Sequence, residues 1–251
     1  MKNQSNMKRH RPRWGNATWR RTGWRPSAQR LWRAWVKPFL LVILMLGSVR
    51  SVVADWNDVP TGSMKPTILV GDRIVVNKLA YDLKVPFTTW RVAEWADPQR
   101  GDIIVCFSPA NGIRLVKRVI GIPGDRLAMN NNQLYINGVA VTYEPLDTET
   151  INQIPKTEQP SHRFALEKLG ERPHALMTTP QLRALRSFGP VTLGKNQYFV
   201  MGDNRDCSAD SRVFGVVPRD QIVGRAFAVA MSVDPERWYL PRWDRFFTGL
   251  D

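Results

Sequence analysis

The chain is poor in the residues that most often carry chemistry. It has three histidines and two cysteines in 251 residues. His10 lies in a basic N-terminal stretch, and His162 and His174 lie in a proline-rich one. None sits in a recognisable motif, so a Ser-His-Asp triad is not expected. There is no His-Glu-x-x-His, which leaves a zinc peptidase unsupported. Cys106 and Cys207 are far apart and match no metal-ligand spacing, and no glycine-rich phosphate loop occurs. No metal and no cofactor is therefore expected.

Acidic residues are missing from the first 37 positions. Eleven of the 36 Lys and Arg precede Pro38, and all 22 Asp and Glu come after it. The net charge of +14 thus belongs to the N-terminal tail, and the remainder is close to neutral. A basic tail alone could bind nucleic acid or anionic lipid. The adjoining segment points elsewhere: Phe39 to Val49 is apolar apart from Ser48. A basic tail ahead of an apolar run obeys the positive-inside rule for a single membrane span with a cytoplasmic N-terminus. Ala34 to Val53 is 20 residues, or roughly 30 Å as a helix. The alternative is a cleaved leader, with Val52-Val53-Ala54 as a small-residue cut site. On either reading the body after Asp55 is exported, and no nucleic-acid partner is expected. Export would also permit a disulfide between the two cysteines.

Long amphipathic helical patterns are scarce in that body. Arg73–Lys78, Asp102–Phe107, Ile113–Ile120, Gln197–Met201, Val213–Val217 and Gln221–Met231 read as strands. Gln133 to Tyr143 reads as a β-hairpin turning at Asn137-Gly138. The fold class is mostly β. Between Tyr143 and Gly194 six prolines fall (145, 155, 160, 173, 180 and 190), marking an insertion in which Ala165–Leu169 could form a helical turn. The expected organisation is a cytoplasmic tail (1–33), an anchor (34–53), a catalytic β domain (54–142 and 195–232), the inserted region (143–194) and an aromatic C-terminal tail (233–251). The mixed aromatic and charged residues of that tail suit a membrane interface or packing on the body.

Two segments carry candidate chemistry. Ser63 lies in Pro60-Thr61-Gly62-Ser63-Met64-Lys65-Pro66-Thr67. Lys117 lies in the Ile113–Ile120 run. In a strand, alternation places Lys117 with Ile113, Leu115 and Val119, and turns Arg114 and Arg118 to the other face. A solvated lysine, with a pKa of ~10.4, is unprotonated about one time in a thousand near neutrality. Burial can lower that pKa by ~3 units, enough for the amine to serve as a base to a serine hydroxyl. Equally, Lys117 could reach water from a strand edge, and Ser63 could be an ordinary turn serine. A third segment, Met201 to Arg212, is a dense polar loop suited to hydrogen-bonded support.

Together these segments resemble the type I signal peptidases, membrane-anchored serine proteases with a Ser/Lys dyad. The resemblance rests on three motifs in the family's order: Pro60 to Thr67, Lys117-Arg118-Val119-Ile120-Gly121-Ile122-Pro123-Gly124-Asp125, and Gly202 to Arg212. It extends from about Ser51 to Met231. It implies a transmembrane helix followed by a β-rich domain of coiled antiparallel sheets with a smaller inserted domain. It further implies Ser63 as nucleophile, Lys117 as general base, and an oxyanion hole from the Ser63 N–H and the Thr61 hydroxyl. Ser208 would orient the lysine, Asp210 and Arg212 would pair to hold the loop, and Met64 would help line the substrate cleft. Cys207 stands where the family usually has Asn. The implied partners are membrane lipid and preproteins with small residues at −1 and −3, and the implied location is the bacterial inner membrane with the catalytic domain on the periplasmic side. Two other readings stay open: a self-cleaving repressor-type Ser/Lys peptidase, and a non-catalytic membrane protein acting through its tail.

Overall fold

The computed structural model describes residues 31–250 apart from 53, 86, 87, 89 and 171. Most of the expected basic tail, and Val53 of the possible cut site, lie outside the described residues. A five-residue π-helix, Trp32–Val36, runs directly into α1, an α-helix over Lys37–Val52. Pro38 explains the change of pitch. It has no N–H for the carbonyl four residues back, and the turn ahead of it widens. α1 has 16 residues, about 24 Å of helix. Among the described residues no helix is long and apolar enough to cross a membrane. The 20-residue span expected at 34–53 is thus a shorter α-helix behind a π-helical start. Leu31, Trp32, Trp35 and every residue from Phe39 to Leu46 are exposed.

The body is built of short strands: β1 (Ala54–Asp58), β2 (Asp72–Asn77), β3 (Asp82–Lys84), β4 (Arg91–Glu94), β5 (Ile103–Phe107) and β6 (Arg114–Gly121) come first. Then come β7 (Arg126–Asn130), β8 (Gln133–Ile136), β9 (Val139–Ala140), β10 (Thr142–Glu144), β11 (Arg163–Leu169), β12 (Arg172–Thr178) and β13 (Phe188–Thr192). The series closes with β14 (Gln197–Met201), β15 (Val217–Pro218), β16 (Ile222–Asp234), β17 (Leu240–Pro241) and β18 (Thr248–Gly249). The main sheet runs β1-β2-β16-β5-β6-β14-β15, with β17 and β18 also on β16. Its ladders are antiparallel. β16 spans 13 residues and shifts register against both β2 and β5. Such bulges bend a strand and increase its twist, which curls the sheet.

β5 shows how the sequence builds the core. Its Ile-Ile-Val-Cys-Phe run is apolar without alternation because both faces are covered. Ile103 and Val105 pack with Ile68, Ile74, Val76 and Val229, whereas Ile104 and Cys106 pack with Tyr81, Val119, Tyr198 and Val200. The Asn137-Gly138 turn has φ of 54° and 83°, the left-handed pair a type I′ hairpin requires. Three smaller sheets, β13-β7-β8-β9, β10-β11-β12 and β3-β4, extend the body.

Two local expectations change. Ala165–Leu169 belongs to β11, paired along its length with β12, and is not a helical turn; so short a run of mixed polarity does not distinguish the two states. Val213–Val217 is not one strand. Asp210 caps a short helix, α3 (Ser211–Phe214) (an earlier helix, α2, covers Thr148–Asn152), and only Val217–Pro218 pairs as β15. The C-terminal tail is inverted relative to simple hydropathy. Trp238, Tyr239, Trp243 and Phe247 are exposed, while Arg245 is buried. The reason is Asp72, fully buried, whose carboxylate accepts from Arg245 Nη2 at 2.6 Å and Nε at 3.2 Å.

Candidate active site

Ser63 sits on a tight turn between β1 and β2, where Lys65 N–H donates to the Gly62 carbonyl at 3.1 Å and Ile68 N–H to the Met64 carbonyl at 2.9 Å. Lys117 lies in β6 opposite Ile104 of β5. Its Nζ stands 2.8 Å from Ser63 Oγ and 3.0 Å from the Val116 carbonyl oxygen. Lys117 is only 3% exposed. Burial lowers its pKa below the ordinary lysine value, against the opposing charges of Asp210 and Asp203. The structure therefore brings together the two residues singled out in the sequence, with the amine in an environment that disfavours its charge. Ile113, expected to share the lysine's face, falls just before β6 and is exposed.

The neighbouring residue behaves oppositely. Arg118 lies opposite Ile103 and is 1% exposed. Its Nε and Nη2 meet the Asp203 carboxylate at 2.9 and 2.8 Å, and its Nη1 donates to the Gly101 carbonyl at 2.8 Å. Asp203 also accepts from Thr67 Oγ1 at 2.6 Å. Burial alone would raise the Asp203 pKa, but the Arg118 guanidinium keeps it below the usual carboxylate range. Sequence reasoning missed this pair. The signal that could have found it is an arginine amid a β-branched run, which needs a buried acid.

The loop after β14 closes on the nucleophile. Asn204 N–H donates to the Ser63 carbonyl at 3.0 Å, and Asn204 Nδ2 donates to the Gly62 carbonyl at 3.1 Å. A Cβ on Gly202 would lie 2.4 Å from the Ser63 carbonyl oxygen and 2.4 Å from Ser208 Oγ, so only glycine allows this approach. Asp210 and Arg212 form the expected pair, with Nε–Oδ1 and Nη2–Oδ2 both 2.8 Å. Asp210 also accepts from Gly202 N–H at 3.1 Å. Burial pushes its pKa up, and Arg212 with that N–H more than reverses the push.

The remaining expected residues fare differently. Ser208 Oγ is buried and makes no hydrogen bond among the described residues. It contributes to lowering the Asp210 pKa, yet the two do not meet at hydrogen-bond geometry. No hydrogen bond joins it to Lys117. Thr61 is exposed on the nucleophile's turn. Met64 does not line a cleft surface: it is 1% exposed and packs with Val59, Ile68 and Ile74 in the core. Cys106 and Cys207 are both free. Cys106 is buried behind Lys117 with its thiol pKa pushed up to about 12, while Cys207 is exposed. Among the described residues no group of three or more His, Cys, Asp or Glu could hold a metal ion.

The inserted region carries a second buried polar cluster. Glu167 of β11 meets Arg205 Nη1 at 2.9 Å and accepts from Tyr143 OH at 2.7 Å. His174 of β12 lies 3.2 Å from the same carboxylate, its pKa lowered by burial and by Arg118. Met177 N–H of β12 donates to the Asp203 carbonyl at 2.8 Å.

A serine hydroxyl beside a desolvated lysine amine, on a curled antiparallel sheet, defines the class of serine hydrolases that use lysine in place of histidine. The family described as signal peptidase, peptidase S26, matches residues 32–231. A signal peptidase I of Pseudomonas fluorescens is 37% identical over 221 residues, 83% of this chain and 75% of its own. One from Pseudomonas aeruginosa is 37% identical over 223 residues, with the same coverage. Signal peptidase I P of Bacillus subtilis subsp. natto is 32% identical over 201 residues, 80% of this chain and 89% of its own. A solved signal peptidase I from Enterococcus faecalis is 35% identical and covers 52% of this chain and 97% of its own, at a TM-score of 0.32. The chain belongs to the signal peptidase family, peptidase S26, and is a serine endopeptidase that removes signal peptides.

Proposed function

We propose that Ser63 and Lys117 perform this cleavage as nucleophile and general base. The neutral Lys117 amine takes the Ser63 proton as Oγ attacks the scissile carbonyl, and the resulting ammonium returns a proton to the departing amine. Water then hydrolyses the acyl-enzyme with the same amine as base. The Ser63 N–H and the Thr61 hydroxyl stabilise the oxyanion. Asp210 and Arg212 hold the supporting loop, on which Ser208 lies against Gly202. The observation that carries this reading is the 2.8 Å approach of a buried amine to the hydroxyl.

The substrates in this reading are preproteins with small residues at −1 and −3. In this reading the segment expected as the anchor, 34–53, holds the enzyme at the inner membrane, with the tail in the cytoplasm and the β body on the periplasmic side. The exposed aromatics after Asp234 lie at the lipid interface. Confinement of enzyme and preprotein to one surface raises their effective concentration. Mass spectrometry of a preprotein incubated with the purified enzyme tests the proposal. Cleavage after a small residue by wild type, and none by Ser63→Ala, is expected; equal cleavage by both would overturn it.

A further inference from the structure

The polar loop after β14 does more than pack beside the dyad. Asn204 is 4% exposed and touches the nucleophile's backbone twice. Its N–H binds the Ser63 carbonyl, and its Nδ2 binds the Gly62 carbonyl. These two carbonyls belong to the peptide units on either side of the Ser63 Cα. In a trans peptide the carbonyl and the N–H point in opposite directions from one rigid plane. Holding the Gly62 oxygen therefore also aims the Ser63 N–H, the group assigned to the oxyanion hole.

The Gly62 carbonyl has two acceptor positions, and both are used. Lys65 N–H occupies one at 3.1 Å and Asn204 Nδ2 the other at 3.1 Å. The Lys65 bond is part of the turn itself and leaves the plane free to rock. The Asn204 bond comes from a different segment, 142 residues away, and removes that freedom. Asn204 is in turn fixed from behind. Asp203 is clamped by Arg118, and its carbonyl accepts from Met177 N–H of β12, with Met177 and Asn204 joined in a parallel bridge.

We propose that Asn204 is a positioning residue for the oxyanion hole: its side-chain amide sets the plane of the Gly62–Ser63 peptide and so directs the Ser63 N–H at the developing negative charge. The inference rests on Ser63 being the nucleophile. It concerns the donor that stabilises the tetrahedral intermediate and not the proton transfer to Lys117, whose approach to Ser63 Oγ does not involve Asn204. A donor aimed away from the oxyanion loses part of an effect worth about 10²–10³ in rate when removed outright.

The test uses the full-length enzyme with Asn204→Ala and the near-isosteric Asn204→Asp, which cannot donate to the Gly62 carbonyl. Both variants should lower kcat about 10- to 100-fold with KM nearly unchanged. The acid limb of the pH–rate profile should not move. A peptide aldehyde ending in alanine, which forms a tetrahedral adduct with Ser63, should bind more weakly by the same factor as kcat/KM falls. The matching peptide amide, which forms no adduct, should bind as before. Wild-type kcat in either folded variant would overturn the proposal, as would a loss confined to KM or an equal weakening of aldehyde and amide. Loss of the fold in both variants would assign Asn204 a structural role and also count against it. Ser63→Ala, run alongside, separates the two ideas: activity there would remove the nucleophile itself, whereas an inactive Ser63→Ala beside a fully active Asn204→Ala would remove only the positioning role.

Discussion

Lys117 and Arg118 are consecutive residues of one strand, both almost wholly buried, and the fold treats their charges in opposite ways. Arg118 is given a bidentate carboxylate and a backbone carbonyl, so its charge is matched. Lys117 is given a serine hydroxyl and one carbonyl, with carboxylates acting only from a distance, so its charge is disfavoured. Burial does not by itself make a base. A buried cation with a matched anion is structure, and a buried cation without one is reactive. Guanidinium suits the first role because it cannot be deprotonated in a protein, and amine suits the second because it can.

The sharpest way to break this contrast is Lys117→Met. Cleavage should be abolished, a loss on the order of 10⁴-fold, while denaturant unfolding should show a fold at least as stable as wild type. Turnover by a folded Met variant would take the lysine out of the mechanism. The opposite result is expected one residue on. Asp203→Asn strands the Arg118 charge, and should cost about 3–5 kcal/mol of stability in urea unfolding. It should also shift the acid limb of activity to lower pH, because Asp203 is one of the charges raising the Lys117 pKa.

Gly202→Ala should lower kcat about 10²-fold by forcing the Ser63 carbonyl and Ser208 apart, measured with a preprotein at saturation. A pH comparison of wild type with Lys117→Met sharpens the contrast thermodynamically. Between the lowered Lys117 pKa and about 10.4, the unfolded chain binds one more proton than the folded one. Wild-type stability relative to the Met variant should therefore rise with pH across that window and stay level below it. The smallest effect is expected from Ser208→Ala. Its hydroxyl makes no hydrogen bond among the described residues, so the rate should fall less than about tenfold; unchanged activity would reject any orienting role.

These contrasts also mark what could be read from the residues alone. The lysine's place on an apolar face was legible because strand alternation is local: Leu115, Lys117 and Val119 share a face whatever the rest of the chain does. The Asn137-Gly138 hairpin was legible for the same reason. Arg118 was assigned only to the opposite face, since its partner Asp203 lies 85 residues away and alternation carries no such information. Met64 was misplaced because a tight turn has no fixed period, and Ala165–Leu169 because so short a run of mixed polarity fits strand or helix. The C-terminal tail was opaque because one buried aspartate, Asp72, recruits Arg245 inward and leaves the aromatic rings outside.

The two free thiols differ as completely as the two cations do. Burial pushes the Cys106 thiol up to about 12, so it is a protonated, enclosed sulfhydryl near neutral pH, whereas Cys207 faces solvent one position before Ser208. A maleimide fluorophore or spin label should therefore attach at a single native position on the catalytic loop, giving a reporter of substrate docking without any engineered cysteine.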